Sequence, residues 1–341
     1  MSSSSFDIAG LEAPVVQAPM AGGVSTPALA AAVSSAGGLG FLAAAYLTAD
    51  QVRAQIAETR ELTDAPFGVN VFVPGAPFAD AEQVAAYAHS LEAEAMRLGV
   101  TVGSPHPDHD DWHAKIALLE ETAPAVATFT FGAPSLAVVS RLQDAGVAVG
   151  ITVTSLAELV IAKASKPDLI VAQGPLAGGH RGTFDPVALP SEQHLFALLA
   201  ELSSNTRLPI VVAGGLASSE DVEGVLAAGA AAAAAGTAFL RADEAGTAAA
   251  HRDALVSAEF PNTALTKAFS GRWARGLVND FVREHEADAP FGYPDVHQVT
   301  APLRRAAAAA DDPQRMALWA GTRHNRALAA PAATILSTLV P

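Results

Sequence analysis

The sequence predicts an α/β protein of the TIM-barrel type, a (β/α)8 barrel with an insertion after the third strand and a C-terminal helical appendage. Three observations predict it. Short β-rich runs alternate with Ala/Leu-rich helical patterns along the chain. Several of those runs are followed by a helix-start residue, as at Thr26-Pro27, Thr48, Ser135, Ser155 and Ser218. Eight such runs fall within about 240 residues, the span of one closed barrel.

In chain order, strands are expected at Pro14 to Met20, Leu39 to Tyr46, Phe67 to Val73, Ala125–Phe131, Ala148–Val153, Leu169–Gln173, Pro209–Ala213 and Ala231–Phe239. The first helix ends at Gly37-Gly38, a C-terminal signal. The segment 75–123 is longer than one crossover needs. It reads as a helix around Ala81 to Leu98, a His/Asp/Pro loop and a second helix from about Asp110. An open doubly wound sheet is the alternative, but the first βα turn lacks the G-x-G-x-x-G fingerprint. Residues 1–243 are read as the barrel. Residues 244–341 are read as a helical extension packed on it, with an extended Pro/Gly loop at 289–302.

Composition limits the function. The chain has 341 residues, half of them hydrophobic and 16% charged, enough for a sizeable core. The net charge of −15 argues against nucleic acid as a partner. An anion would need a local device, such as backbone N–H groups. Cysteine is absent, which excludes disulfides, thiolate nucleophiles and cysteine metal sites. Met1 to Phe6 is serine-rich and lacks a signal-peptide pattern. The Ala-rich stretch 225–239 is broken by Gly229 and Gly236 and reads as a helix end, a turn and a buried strand, not a membrane span. The expectation is a cytoplasmic protein with no membrane partner.

In a barrel the chemistry sits where strands end. There the sequence places Ala18-Pro19-Met20-Ala21-Gly22-Gly23, Asn70, Gln173-Gly174, Gly178-Gly179-His180-Arg181-Gly182, Gly214-Gly215 and Gly236-Thr237. The glycines after the seventh and eighth strands, with the helix start that follows, suit a phosphate-bearing ligand. Plain turn chemistry is the other reading. His180 lies among four glycines between 174 and 182. It could serve as a base, an acid or a hydrogen-bond donor, or be a surface-loop histidine. His106, His109 and His113, with Asp108, Asp110 and Asp111, read as a solvated loop and a helix start rather than a metal site. Asp7, Glu12, His285 and Glu286 show no constellation. Ser270-Gly271-Arg272 reads as a polar lid contact or a turn. No metal is expected.

The runs Ala18 to Pro27, Phe67 to Phe72, Gln173 to Gly182, Ala213-Gly214-Gly215, Gly236-Thr237-Ala238-Phe239, Phe269 to Arg272 and Leu318-Trp319-Ala320-Gly321 resemble, in order, the motifs of nitronate monooxygenases, formerly called 2-nitropropane dioxygenases. The resemblance implies a TIM barrel with non-covalent FMN. It implies oxidation of alkyl nitronates, such as propionate 3-nitronate, or of nitroalkanes, by O2 to a carbonyl compound and nitrite. It would lay Met20, Ala21 and Gly22 along the flavin ring, with Asn70 and Gln173 hydrogen-bonded to it. It would give Gly178, Gly215, Gly236 and Thr237 to the ribityl and phosphate groups, with Gly179 and Gly214 also binding the cofactor. His180 would be the catalytic histidine and Ser270 a substrate-side contact. Three positions depart from the family pattern. Leu176 stands where an acidic residue is usual. Ala234, also on the cofactor side, stands where glutamine is common. Trp273 replaces a smaller residue. A related FMN- and NAD(P)H-dependent reductase of the enoyl-ACP reductase type, and a non-catalytic barrel for a phosphorylated ligand, are the alternatives. A homodimer is left open.

Overall fold

The computed structural model describes residues 6–75 and 78–341, so the reading of Met1 to Phe6 falls almost wholly outside the described residues. Eleven strands are formed there: β1 Val15–Gln17, β2 Phe41–Ala43, β3 Gly68–Phe72, β4 Val126–Thr130, β5 Ala148–Val153, β6 Leu169–Gln173, β7 Gly179–His180, β8 Ile210–Ala213, β9 Ala232–Ala235, β10 Thr263–Thr266 and β11 Ala274–Leu277. Eight of them form one parallel sheet in the order β1-β9-β8-β6-β5-β4-β3-β2. The sheet closes between its two ends. Gln17 N donates to Leu39 O at 2.9 Å and Leu39 N to Val15 O at 3.1 Å. The Gln17 side chain reinforces this seam, accepting from Phe41 N at 2.9 Å.

The strands alternate with period two. Val69, Val71, Ala127, Phe129, Val149 and Ile151 face outward and pack beneath the helices. Phe41, Val126, Leu169 and Val211 face inward near the N-terminal end. Asn70, Thr128, Thr130, Thr152 and Gln173 face the cavity nearer the C-terminal end. Polarity thus rises toward the mouth.

The expected helix starts are observed. Thr26 accepts from Leu29 N at 3.0 Å with Pro27 in the first turn. Thr48 and Gln51 form a reciprocal capping box. Ser135, Ser155 and Ser218 cap the helices Leu136–Asp144, Leu156–Ala164 and Ser219–Ala227. The terminal strands are shorter than the apolar runs suggested. After β9, Gly236 turns the chain into the 3-10 helix Thr237–Phe239.

The insertion differs in detail. Its first helix breaks at Leu91 into Ala81–Ser90 and Glu92–Arg97, and the second spans Trp112–Thr122. Asp110 and Asp111 adopt left-handed backbone before that helix, each at φ 51°. Their carboxylates tie the insertion to the loop after β2, accepting from Tyr46 N at 2.9 Å and Ala49 N at 2.8 Å.

The C-terminal segment corrects two expectations. It is not helical throughout, because β10 and β11 form an antiparallel pair and β11 also pairs with β7. The extended loop expected at 289–302 stops at Pro294, and a helix runs from Asp295 to Ala309 through Pro302. A proline inside a helix frees the carbonyl four residues earlier. Here that carbonyl, of Gln298, lies against Gly103, where a Cβ would stand 2.0 Å from its oxygen. Gly103 N donates to the adjacent Val299 O at 2.9 Å. The insertion therefore packs along the unpaired stretch and makes the helix tenable. Val84, Tyr87 and Leu91 share a core with Phe269, Val296 and Leu303. No helix among the described residues is long and apolar enough to cross a membrane.

Candidate active site

A cavity of about 640 Å³ opens at the C-terminal ends of the strands and reaches down into the barrel. That size suits a cofactor or small molecule. Met20, Ala21 and Gly22 after β1, Asn70 on β3, Gln173 on β6, Gly178, Gly179 and His180, Gly214 and Gly215 after β8, Ala234 on β9, Gly236, Thr237 and Ser270 all line it.

His180 is held by sheet pairing rather than by a free loop. It sits opposite Ala274 on β11, and Arg181 N donates to Trp273 O at 2.8 Å. Gln173 pins the same segment from below. Its amide donates to His180 O at 3.0 Å and accepts from Gly182 N at 2.8 Å. Both ends of this amide are therefore committed to the loop, a role beyond the flavin contact expected of it. Arg181, buried, donates to the carbonyls of Gly174 and Gln173.

The His180 ring is 2.8 Å from Ser270 through Nε2. The Ser270 hydroxyl donates to Arg272 O at 3.2 Å, which leaves its oxygen to accept from Nε2–H. Nδ1 is then the basic nitrogen. Phe131, Tyr293 and Trp319 surround the ring, with centroids 5.8, 6.1 and 5.4 Å away. Burial, then the charges of Arg272 and Arg304, lower the His180 pKa to about 3.

Of those two arginines, Arg304 lines the cavity and Arg272 does not. Arg272 is buried, lies 3.9 Å over the Phe131 ring and donates to Thr183 O. Arg304 projects from the helix Asp295–Ala309 and is fixed by His297 O at 2.9 Å and Thr300 Oγ1 at 3.1 Å. Neither has a carboxylate within ion-pair distance among the described residues. Burial lowers both to about 10, still well above neutral pH, so both stay charged. Tyr46 stacks on His297 at 4.2 Å and shares a hydrogen bond with Tyr293. Phe131 and Tyr46 follow β4 and β2 at φ 76° and 68°, a strained region for aromatic residues that is frequent at functional sites.

The opposite side of the mouth is built from backbone. Gly214 and Gly215 have φ of +123° and +79°, which turns the chain tightly after β8. Gly178 packs so closely on Ala320 and Gly321 that a Cβ would lie 2.5 Å from either. Gly321 N donates to Thr237 Oγ1 at 2.9 Å, leaving the Thr237 hydroxyl proton for a ligand. Arg323, paired with Asp221 at 3.2 Å, also lines the cavity here. Asn70 spends its amide nitrogen on Thr128 and Thr130, leaving Oδ1 as an acceptor. A ligand with a phosphate end and a hydrogen-bonding planar ring fits this donor set.

Other candidates fall elsewhere. His106, His109 and His113 are exposed on the insertion. Leu176 sits against Gly215, and Trp273 packs edge-on to Phe291. His285 does belong to a cluster, with Glu94 and Glu284. Their carboxylates are already paired with Arg315, and Glu94 also with Arg97. Glu286 caps the turn before Ser270, accepting from Lys267 N at 2.8 Å. Sequence reasoning passed over Tyr46, Phe131, Tyr293, His297 and Arg304. The last two lie on the helix stretch read partly as loop, and an arginine after an apolar run gives no local signal of burial.

A sequence model of the nitronate monooxygenase family matches residues 3–341. The chain is 39% identical over 337 residues to a nitronate monooxygenase of Paraburkholderia phytofirmans, covering 97% of this chain and 92% of that protein. It is 39% identical over 340 residues to a nitronate monooxygenase of Pseudomonas aeruginosa, covering 97% and 96%. Among solved structures, nitroalkane oxidase from Streptomyces ansochromogenes superposes with a TM-score of 0.92 at 46% identity, covering 96% of this chain and 95% of that one. FabK from Thermotoga maritima gives 0.76 at 25% identity, covering 98% and 93%.

Proposed function

The chain belongs to the nitronate monooxygenase family, and from that premise we propose that it oxidises alkyl nitronates, and less readily neutral nitroalkanes, with O2 to a carbonyl compound and nitrite, using non-covalent FMN. The observation that carries this reading is a neutral His180 in a cavity that Arg304 also lines, with the charge of the buried Arg272 acting on the same ring. Such a pocket favours an anion at the substrate position, and a nitronate is one.

When bound, FMN supplies the redox chemistry, taking electrons from the substrate and passing them to O2. Met20, Ala21, Gly22 and Asn70 would lie on its ring side. Gly178, Gly215, Gly236, Thr237 and the cation of Arg323 would lie on its phosphate side. The chain's own residues do the rest. Arg304, which lines the cavity, would attract the nitro oxygens, and the buried charge of Arg272 adds to the field on His180. Ser270 holds Nε2–H of His180, so Nδ1 is the nitrogen left to accept a substrate proton. With a neutral nitroalkane, the α-proton moves from carbon to Nδ1 and the C–H electron pair stays behind in the nitronate. The depressed pKa weakens that base by about 1.4 kcal/mol per unit. The nitronate charge forming beside the imidazolium opposes the penalty. A nitronate needs no such step and is the better substrate.

The test is direct. Purified protein should show flavin absorption, consume O2 and release nitrite with a nitronate. A colourless protein that takes up no FMN, or one that oxidises NADH with an enoyl substrate and leaves nitronates untouched, would overturn the reading. Gly215→Val should weaken FMN binding by placing a side chain at the phosphate loop. Flavin affinity equal to wild type would contradict that placement.

A further inference from the structure

The cavity does not stop at the flavin-side contacts. It continues into the barrel, to a floor formed by Ile8, Val16, Phe41, Val126, Leu169 and Val211. Leu169 opens β6, four residues before Gln173. That is roughly 13 Å deeper along the strand. Ile8, in the 3-10 helix Ile8–Gly10, lines the N-terminal end of the cavity. The β9 wall offers only the methyl group of Ala234, where β8 and β1 present valines. Every one of these side chains is hydrocarbon. The nearest polar side chains above, Asn70 and Thr128, are bonded to each other at 3.0 Å. A polar or charged solute would find no partner at this depth, whereas apolar protein cavities admit small apolar solutes such as xenon.

We propose that this lower chamber is a binding site for O2, which it delivers to the reaction site above. The inference rests on the proposed oxidase activity. It gives the two substrates separate ends of one cavity. The anion is held at the charged mouth, which Arg304 lines, and the gas in the hydrocarbon floor, so neither blocks the other.

Xenon serves as the probe. Flavin-loaded crystals pressurised with xenon should show an atom among Val16, Val126 and Val211. Val211→Leu and Val126→Leu each add one carbon to the chamber. Each should lose that xenon and raise the KM for O2 at least fivefold. Anaerobic flavin reduction by a nitronate should stay within twofold of wild type. Xenon absent from the chamber in the wild-type protein, or both variants showing an unchanged KM for O2, would overturn the proposal. Wild-type protein that consumes no O2 with any nitronate would sink the activity itself, and the O2 assignment with it.

Discussion

His180 owes its state to its neighbours. Burial comes first, then Arg272 and Arg304, and together they hold its pKa near 3. In the free protein it is therefore neutral throughout the working pH range. The kcat/KM for a nitronate should show no histidine titration between about pH 5 and 9. An acid limb near pH 6.5 that vanishes in His180→Asn would contradict the assignment. Arg304→Gln should raise the KM for nitronates roughly tenfold or more, the order expected for losing a charged hydrogen-bond partner. Flavin content should be unchanged, and steady-state kinetics with flavin quantification would check both. At this scale the sequence was informative where chemistry and backbone demand coincide. His180, Ser270 and the mouth glycines stand in short recognisable runs. Arg304, Tyr293 and His297 do not, because they are brought in by tertiary packing of the C-terminal helix.

The barrel strands and helix caps were legible because each follows from local rules: period-two alternation, a Ser or Thr cap, a closing glycine. The strands β7, β10 and β11 were not. They are two to four residues long, and only the pairing of β11 with both makes them strands. Yet this small sheet positions His180, so the least predictable element is the one nearest the chemistry. Pro302 misled for a similar reason. Its helix depends on Gly103, about two hundred residues earlier in the chain. Gly103→Ala should place a Cβ against the Gln298 carbonyl and cost about 1–3 kcal/mol. It should also raise the nitronate KM, because the displaced helix carries Arg304 and His297. Urea denaturation with wild-type stability would refute that coupling.

At the scale of the whole molecule, His180 near pKa 3, His251 near 4 and His297 near 2 are each lowered first by burial. Above pH 6.5 neither the folded nor the unfolded chain protonates them. Below it the unfolded chain binds protons that the folded chain refuses. Each histidine then removes about 1.4 kcal/mol of stability per pH unit until its folded pKa is reached. Urea midpoints should therefore fall clearly between pH 7 and pH 5. Equal midpoints would show that these histidines are protonated in the fold. The net charge of −15 places the cationic mouth in an acidic molecule. Local arginines, not the overall field, must then attract the substrate anion.

The most direct test of the central claim, that His180 acts on substrate protons beside the cofactor, is anaerobic mixing of flavin-loaded protein with a nitronate and with its parent nitroalkane. Wild type should bleach the flavin with both, faster with the nitronate. His180→Asn should retain flavin and bleach with the nitronate, but lose the nitroalkane reaction by about a hundredfold or more. Equal nitroalkane bleaching by wild type and His180→Asn would contradict it.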